Sequence, residues 1–371
     1  MKMKAAVYRA YGGPISVEEV ELAPPKDHEV LVKTSYTGWC KSDYVMVSGR
    51  IRTSLPRVVG HEASGVVAEL GPGVTMVQKG DHVTASWSSS CGKCKMCLSG
   101  KENLCLAYTP LRGQGALLDG TSRLTDAKGN RLGHDFFVAG FAEYMVIPEA
   151  NALKLRKDLP LDVACFLGCC MPTGFGAVYN TAHVKPGDSV AVWGIGGVGL
   201  NVIQGAKIAG ARPIIAVDLE GSKEAKAREF GATHFIDSSR EDPVPKVREI
   251  TGGTGADVIF EASGEGGAIA QLYWAMATGG KHIQIGVHSA EERVSMNFTF
   301  TPGSRRQMIG CLYGDVHLNT EVPAMADMLM EGKYIDLKKL ISREFTLDEI
   351  NEAYDATEKR KIIGRWVCSF D

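Results

Sequence analysis

Apolar positions in the first part of the chain come in short runs broken by Gly and Pro. Glu29-Val-Leu-Val-Lys33, Ser64-Gly-Val-Val-Ala68 and Asp81-His-Val-Thr-Ala85 are bounded by turn residues such as Gly71-Pro72-Gly73 and Lys79-Gly80, which predicts short strands. Strands of this kind bury their apolar faces by closing on one another, so this part reads as a barrel-like β domain. From Pro186-Gly187 onward the pattern changes. Ser189-Val-Ala-Val-Trp193 leads through a Gly-rich turn into an amphipathic stretch ending near Ala209, and Ile214-Ile-Ala-Val217 opens the next apolar run. Segments 232–237, 257–261 and 282–286 read as later strands, with helix-compatible sequence between most of them. Near-continuous apolar strands alternating with helices predict a parallel sheet covered on both faces, the doubly wound α/β arrangement. After Cys311 the pattern returns to surface-like helices and a last strand, Gly364-Arg-Trp-Val-Cys-Ser369.

A chain of 371 residues is longer than one apolar core usually supports, so two domains are expected. With 44% hydrophobic and 23% charged residues it has the balance of an ordinary globular protein, which argues against disorder. Lys plus Arg (41) nearly match Asp plus Glu (43), with no long run of one sign. That removes the electrostatic footprint of a nucleic-acid or membrane-surface protein and leaves a small molecule as the expected ligand. No apolar core of signal-peptide length follows Met1-Lys-Met-Lys4, and no uninterrupted apolar stretch is long enough to span a bilayer. The cytoplasm is therefore expected. In that compartment the ten cysteines stay reduced, and clustered thiols more often bind metal than form disulfides.

Cys91-Gly-Lys-Cys94-Lys-Met-Cys97 and Cys105 place four thiols in one loop. Such a loop wraps a tetrahedral ion with every position filled and reads as a structural zinc site; two disulfides or an unmetallated loop are the alternatives. Further on, Gly194-Ile-Gly196-Gly197-Val198-Gly199 follows an apolar strand and opens a helix. Its glycines permit a tight turn, close approach to a pyrophosphate and helix–strand packing, while the helix N-terminus faces the phosphates. Asp218 ends the next strand. An acid there accepts hydrogen bonds from the adenosine ribose and repels a 2′-phosphate, so NAD is expected over NADP.

Cys40, His61 and Cys169 do not stand out by spacing, since a lone Cys or His is more often plain core. Their contexts are Cys40-Lys-Ser-Asp43, Gly60-His61-Glu62 and Gly168-Cys169-Cys170-Met-Pro-Thr173-Gly174. With the cysteine lobe, the Asp119-Gly-Thr-Ser-Arg123 segment and the dinucleotide fingerprint, they make the sequence resemble the zinc-containing alcohol dehydrogenases of the medium-chain dehydrogenase/reductase superfamily, essentially end to end.

The resemblance implies a GroES-like, β-rich catalytic domain over residues 1–170 and 313–371 and a Rossmann NAD-binding domain over 171–312. It also implies that Cys40, His61 and Cys169 hold a catalytic zinc with one position open, giving two zinc ions per subunit with the lobe. Glu62 would stand behind these ligands. Ser42 would hydrogen-bond the alcohol oxygen and pass its proton outward as hydride moves to NAD. Lys41, Thr173, Lys223, Val287 and Arg365 would join Gly194, Gly196, Gly197, Val198, Gly199 and Asp218 in holding the coenzyme, and Ile51, Trp87, Phe136 and Phe141 would line the substrate channel. Segment 296–301 falls where the family pairs coenzyme domains, which implies a homodimer or homotetramer. Cys165, Cys170, Cys311 and Cys368 carry no ligand role and read as small buried hydrophobes.

One position departs from the family. A His usually stands five residues after the first Cys ligand and completes the proton relay; here the residue is Val45. The proton would then leave through the coenzyme ribose with Lys41, through water, or through a histidine such as His288, while His134 and His183 read as structural. Val45 keeps open a second enzyme reading, an NAD(P)-linked reductase of a carbonyl, C=C or C=N substrate on the same scaffold. Retention of all three zinc ligands and Glu62 favours an alcohol/aldehyde pair.

Overall fold

The computed structural model describes residues 1–295, 301–335 and 337–370. They divide into two compact units, Met1–Cys169 with His317–Asp371, and Cys170–Val316. Segment 296–300, most of the stretch expected to pair subunits, lies outside the described residues.

In the first unit the short apolar runs become two sheets. Lys2–Tyr8, Ser16–Leu22, Leu124–Asp126, Arg131–His134 and Arg57–Val58 close into a barrel whose interior holds Val7, Val20, Leu22 and Leu132. A seven-stranded sheet runs in the order Ala152–Leu155, His82–Ala85, Glu62–Leu70, Glu29–Trp39, Arg365–Ser369, Ile341–Phe345, with Tyr144–Pro148 also paired to Glu29–Trp39. Val30, Val32, Val67, Val83 and Ile147 pack together on it. Each such side chain, fully buried, contributes about 1.5–3 kcal/mol. The last strand runs antiparallel to Glu29–Trp39 with Trp366 opposite Trp39, which sets Arg365 beside Cys40. Ile341–Phe345 is an edge strand whose alternation of apolar and polar positions is too short to stand out in the sequence.

The second unit carries six parallel strands in the order His234–Asp237, Ile214–Asp218, Val190–Trp193, Ala256–Glu261, Met276–Gln284, Gln307–Gly310. The chain winds to one side of Val190–Trp193 and then to the other, so the strand order reverses at this strand's carboxyl end. Open α/β sheets bind ligands at such a switch point. Two strands depart from the sequence reading. Met276–Gln284 begins six residues before His282, because Gly279 at φ +77° and a register shift opposite Ala256–Val258 let a Gly-Gly pair sit inside a strand. Gln307–Gly310 is an exposed edge strand and lacks the apolar signature. Among the described residues no single helix is long and apolar enough to cross a membrane.

Candidate active site

The four lobe cysteines come together around the short helix Lys95–Leu98, for which Cys94 is the N-terminal cap. Their sulfurs lie within 4.8 Å of one another, with Cys94 to Cys97 at 3.4 Å and Cys91 to Cys97 at 4.0 Å. Tetrahedral zinc–thiolate bonds of about 2.3 Å require sulfurs about 3.8 Å apart, so this set fits the ion. Backbone N–H groups of Cys97 and Leu106 pull the Cys94 thiol down to about 6, preparing a thiolate before any metal arrives.

The second cluster draws on three separate segments. Cys40 caps the helix Lys41–Val47, His61 stands immediately before the strand Glu62–Leu70, and Cys169 follows the turn Cys165–Gly168. Ligand atoms of Cys40, His61, Glu62 and Cys169 lie within 4.8 Å of one another, and all four residues are buried. His61 Nε2 is 3.4 Å from Cys169 Sγ, and its Nδ1 is 2.8 Å from Asp43 Oδ1. A ring held at one nitrogen by a carboxylate presents the other to a metal, which is the support that metal-ligating histidines require. The other Asp43 oxygen accepts the Cys40 backbone N–H at 2.9 Å. One buried carboxylate therefore fixes two of the candidate ligands. A hydrogen bond from Cys169, aided by Arg365 and His61 against the effect of burial, holds the Cys40 thiol well below its usual range. Two soft thiols and one oriented imidazole are a donor set suited to catalytic zinc. Arg365 also lies 3.5 Å from Glu62 Oε1.

Asp43 went unassigned in the sequence. The signal was present: an acid three residues after a helix-capping side chain is the capping-box spacing. Lys41 and Ser42 occupy the first turn of the same helix, both half-buried.

Val45 is 1% exposed in an apolar cluster with Tyr8, Trp39 and Phe141, so its position opens into core and not onto a path to water. A relay imidazole would be buried there. Val45→His is expected to cost about 1–3 kcal/mol, the penalty for an unsatisfied buried polar group, read as a lower midpoint in urea unfolding. A variant as stable as the parent would contradict this placement.

His134, His183 and His288 are engaged in structure. His134 is buried and its Nε2 accepts the Arg123 N–H at 3.2 Å; burial pushes its pKa down to about 3. His183 Nδ1 bonds the Tyr179 carbonyl at 2.8 Å. His288, in the second unit, lies 3.1 Å from Glu261 and 3.0 Å from Glu292. Cys165, Cys170, Cys311 and Cys368 are all buried.

The candidate channel residues divide. The Phe136 ring lies tilted at 4.9 Å from His61, with Trp87 edge-on to Phe136 at 5.8 Å. Phe141 instead is fully buried between Trp39 and Phe345, and Ile51 packs on the same cluster. Val287 is 42% exposed, just beyond the strand Met276–Gln284 of the second unit.

In the second unit the Gly-rich turn sits at the switch point. Gly194, at φ +91°, has Ser263 N only 2.5 Å from where a Cβ would stand, and a Cβ on Gly199 would meet the Gly194 carbonyl at 2.0 Å. Gly196, by contrast, has nothing within 4 Å, leaving a cradle at the N-terminus of the helix Gly197–Ile208, where Val198 lies in the first turn. A pyrophosphate suits that opening. Asp218 Oδ2 accepts the Ile195 N–H at 2.7 Å and pairs with Lys223 at 2.9 Å, which aims the carboxylate beside the turn. Thr173 is buried in the helix Cys170–Gly176.

Residues 26–157 match the alcohol dehydrogenase GroES-like domain, and residues 197–331 match the zinc-binding dehydrogenase family. The chain is 40% identical over 366 residues to S-(hydroxymethyl)glutathione dehydrogenase of Paracoccus denitrificans, covering 96% of each. It is similar to the crystal structure of benzyl alcohol dehydrogenase from Acinetobacter calcoaceticus, with a TM-score of 0.93, 31% identity and all of both chains covered. It also resembles an alcohol dehydrogenase zinc-binding domain protein from Burkholderia ambifaria, with a TM-score of 0.93, 34% identity, and 100% of this chain and 99% of that one covered. The two domain matches, the near full-length identity and the two candidate metal clusters agree, and the chain belongs to the zinc-dependent alcohol dehydrogenases of the medium-chain dehydrogenase/reductase superfamily, oxidoreductases that pass hydride between an alcohol and NAD.

Proposed function

We propose that Cys40, His61 and Cys169 hold the catalytic zinc, that Cys91, Cys94, Cys97 and Cys105 hold a structural one, and that the enzyme interconverts a primary alcohol and its aldehyde with NAD in preference to NADP. The observation that carries this reading is the buried donor set of two thiols and one imidazole, with Asp43 on the far side of the ring. When bound, zinc in such a set lowers the pKa of a hydroxyl and polarises a carbonyl.

The chain's own residues do the rest. Asp43 holds His61 and the Cys40 backbone in place, and Arg365 lies against both Cys40 and Glu62. Ser42, two residues after Cys40, accepts the alcohol proton and hands it toward water. Asp218 binds the ribose hydroxyls and turns away a 2′-phosphate. Primary alcohols are favoured by the Phe136 ring beside His61, backed edge-on by Trp87, which narrows that side of the site. The names of two relatives agree: a hydroxymethyl thioether and benzyl alcohol each carry a primary hydroxyl. A homodimer or homotetramer in the cytoplasm is part of the reading, and ten cysteines, six of them in two candidate metal clusters, suit a reducing compartment.

A panel of primary, secondary and aromatic alcohols followed by NADH absorbance tests it. Turnover of primary alcohols is expected. Reduction of C=C or C=N acceptors with no alcohol or aldehyde turned over would replace this reading with the reductase one.

A further inference from the structure

Three side chains continue outward from His61 in one line of contacts. Phe136 meets His61 at 4.9 Å between ring centroids, Trp87 meets Phe136 edge-on at 5.8 Å, and the Arg112 guanidinium covers the Trp87 ring at 5.1 Å. Arg112 is half-buried in the helix Thr109–Gln114 just beyond the cysteine lobe, and among the described residues no carboxylate pairs with it. Its guanidinium is engaged by the indole face and by the charge of the nearby Cys105 thiol of the lobe. Desolvation strengthens such a contact, because the cation has given up water and is left with the ring face.

Both ends of the line are fastened by one residue. Arg57 is fully buried; its Nη1 donates to the Arg112 carbonyl at 3.0 Å and its Nη2 to the Gly113 carbonyl. The same guanidinium reaches Asp135 Oδ1 at 3.4 Å, where the Tyr8 hydroxyl also donates at 3.0 Å. Asp135 precedes Phe136, which is held at φ +50°, in the left-handed region that a bulky side chain adopts only when its surroundings impose it. So the helix that carries the cation and the strained turn that carries the first ring hang on the same buried arginine. An ordinary surface arginine needs no such support.

We propose that Arg112 is a positioning residue for substrate selection: it fixes the Trp87 indole against Phe136 and so keeps the wall beside His61 narrow, favouring slim primary alcohols over bulky ones. The proposal rests on the reading that the Cys40, His61 and Cys169 cluster is the reaction centre. Without the cation, one face of the indole loses its cover and the ring gains other rotamers. The wall widens, slim alcohols bind more loosely and bulky ones more easily.

The test is the ratio of kcat/KM for benzyl alcohol to that for ethanol. Arg112→Met keeps the apolar stem and removes the cation, and it is expected to raise the ratio about fivefold, through KM more than kcat, which is what one partly desolvated cation–π contact supplies. Arg112→Lys keeps a cation over the ring and should shift the ratio less. In a Trp87→Leu background, Arg112→Met should add no further shift, because the ring it holds is gone. A ratio that moves less than about twofold in both Arg112 variants, or shifts that simply add in the double variant, would overturn the proposal. So would an equal loss of kcat for every alcohol, which marks a merely structural role. The parent enzyme separates two kinds of failure. No alcohol turnover, or no zinc bound outside the lobe, removes the underlying reading, whereas two zinc ions with an unmoved ratio removes only the role of Arg112.

Discussion

Replacing Cys40 with serine is expected to lower kcat/KM for alcohol oxidation by about a thousandfold or more. The estimate follows from the several kcal/mol that a polarising metal contributes to a transition state, at about 1.4 kcal/mol per factor of ten. Serine fits the space of the thiol, and the backbone N–H that Asp43 accepts is unchanged, so the fold should persist. What is lost is a soft anion. The Cys40 thiol is held well below its usual range by Cys169, Arg365 and His61, and a serine hydroxyl in the same place stays protonated at neutral pH. Circular dichroism and the thermal midpoint should match the parent within a few degrees while turnover disappears. Unchanged turnover would remove Cys40 from the reaction centre.

The second large effect is at the coenzyme. Asp218→Asn should move the preference between NAD and NADP by about a hundredfold, measured as the ratio of kcat/KM for the two coenzymes. The native carboxylate is built into the turn: it accepts the N–H groups of Ile195 at 2.7 Å and Glu220 at 3.0 Å, and it pairs with Lys223 at 2.9 Å. An amide of the same size keeps part of the hydrogen bonding to the ribose but not the charge. Hydrogen bonds to a charged group are worth about 1.5–3 kcal/mol, or about ten- to a hundredfold. Lys223, released from its carboxylate partner, becomes a cation where a 2′-phosphate would lie, so NADP gains while NAD loses. An unmoved ratio would mean that Asp218 only shapes the turn.

The parts of the molecule differ in how far the sequence revealed them, and the difference has a physical cause. Four lobe cysteines within one loop are their own signal, because the ligands are neighbours in sequence before they are neighbours in space. Asp218 and the Gly-rich turn were legible because a strand, a turn and a helix follow in order. The GroES-like and Rossmann halves were legible from the change in apolar pattern near Pro186, together with the family motifs. Cys40, His61 and Cys169 converge only through sheet pairing and a turn 108 residues after His61, so they were reached through motif resemblance and not through spacing. Strand Gln307–Gly310 escaped notice because an exposed edge needs no apolar face. Val45 read as a gap in a proton relay, yet the fold uses it as core. The Arg57, Asp135 and Arg112 arrangement could not be foreseen, since its partners lie 55 and 78 residues apart and meet through a turn with a left-handed Phe136.

Zinc content per chain, measured by plasma emission on the purified enzyme and on two variants, tests the central claim most directly. The account predicts two zinc ions in the parent, with Cys40→Ser keeping only the lobe ion. Cys94→Ser should lose the lobe ion instead. A parent with a single zinc, retained in Cys40→Ser and lost in Cys94→Ser, would contradict it.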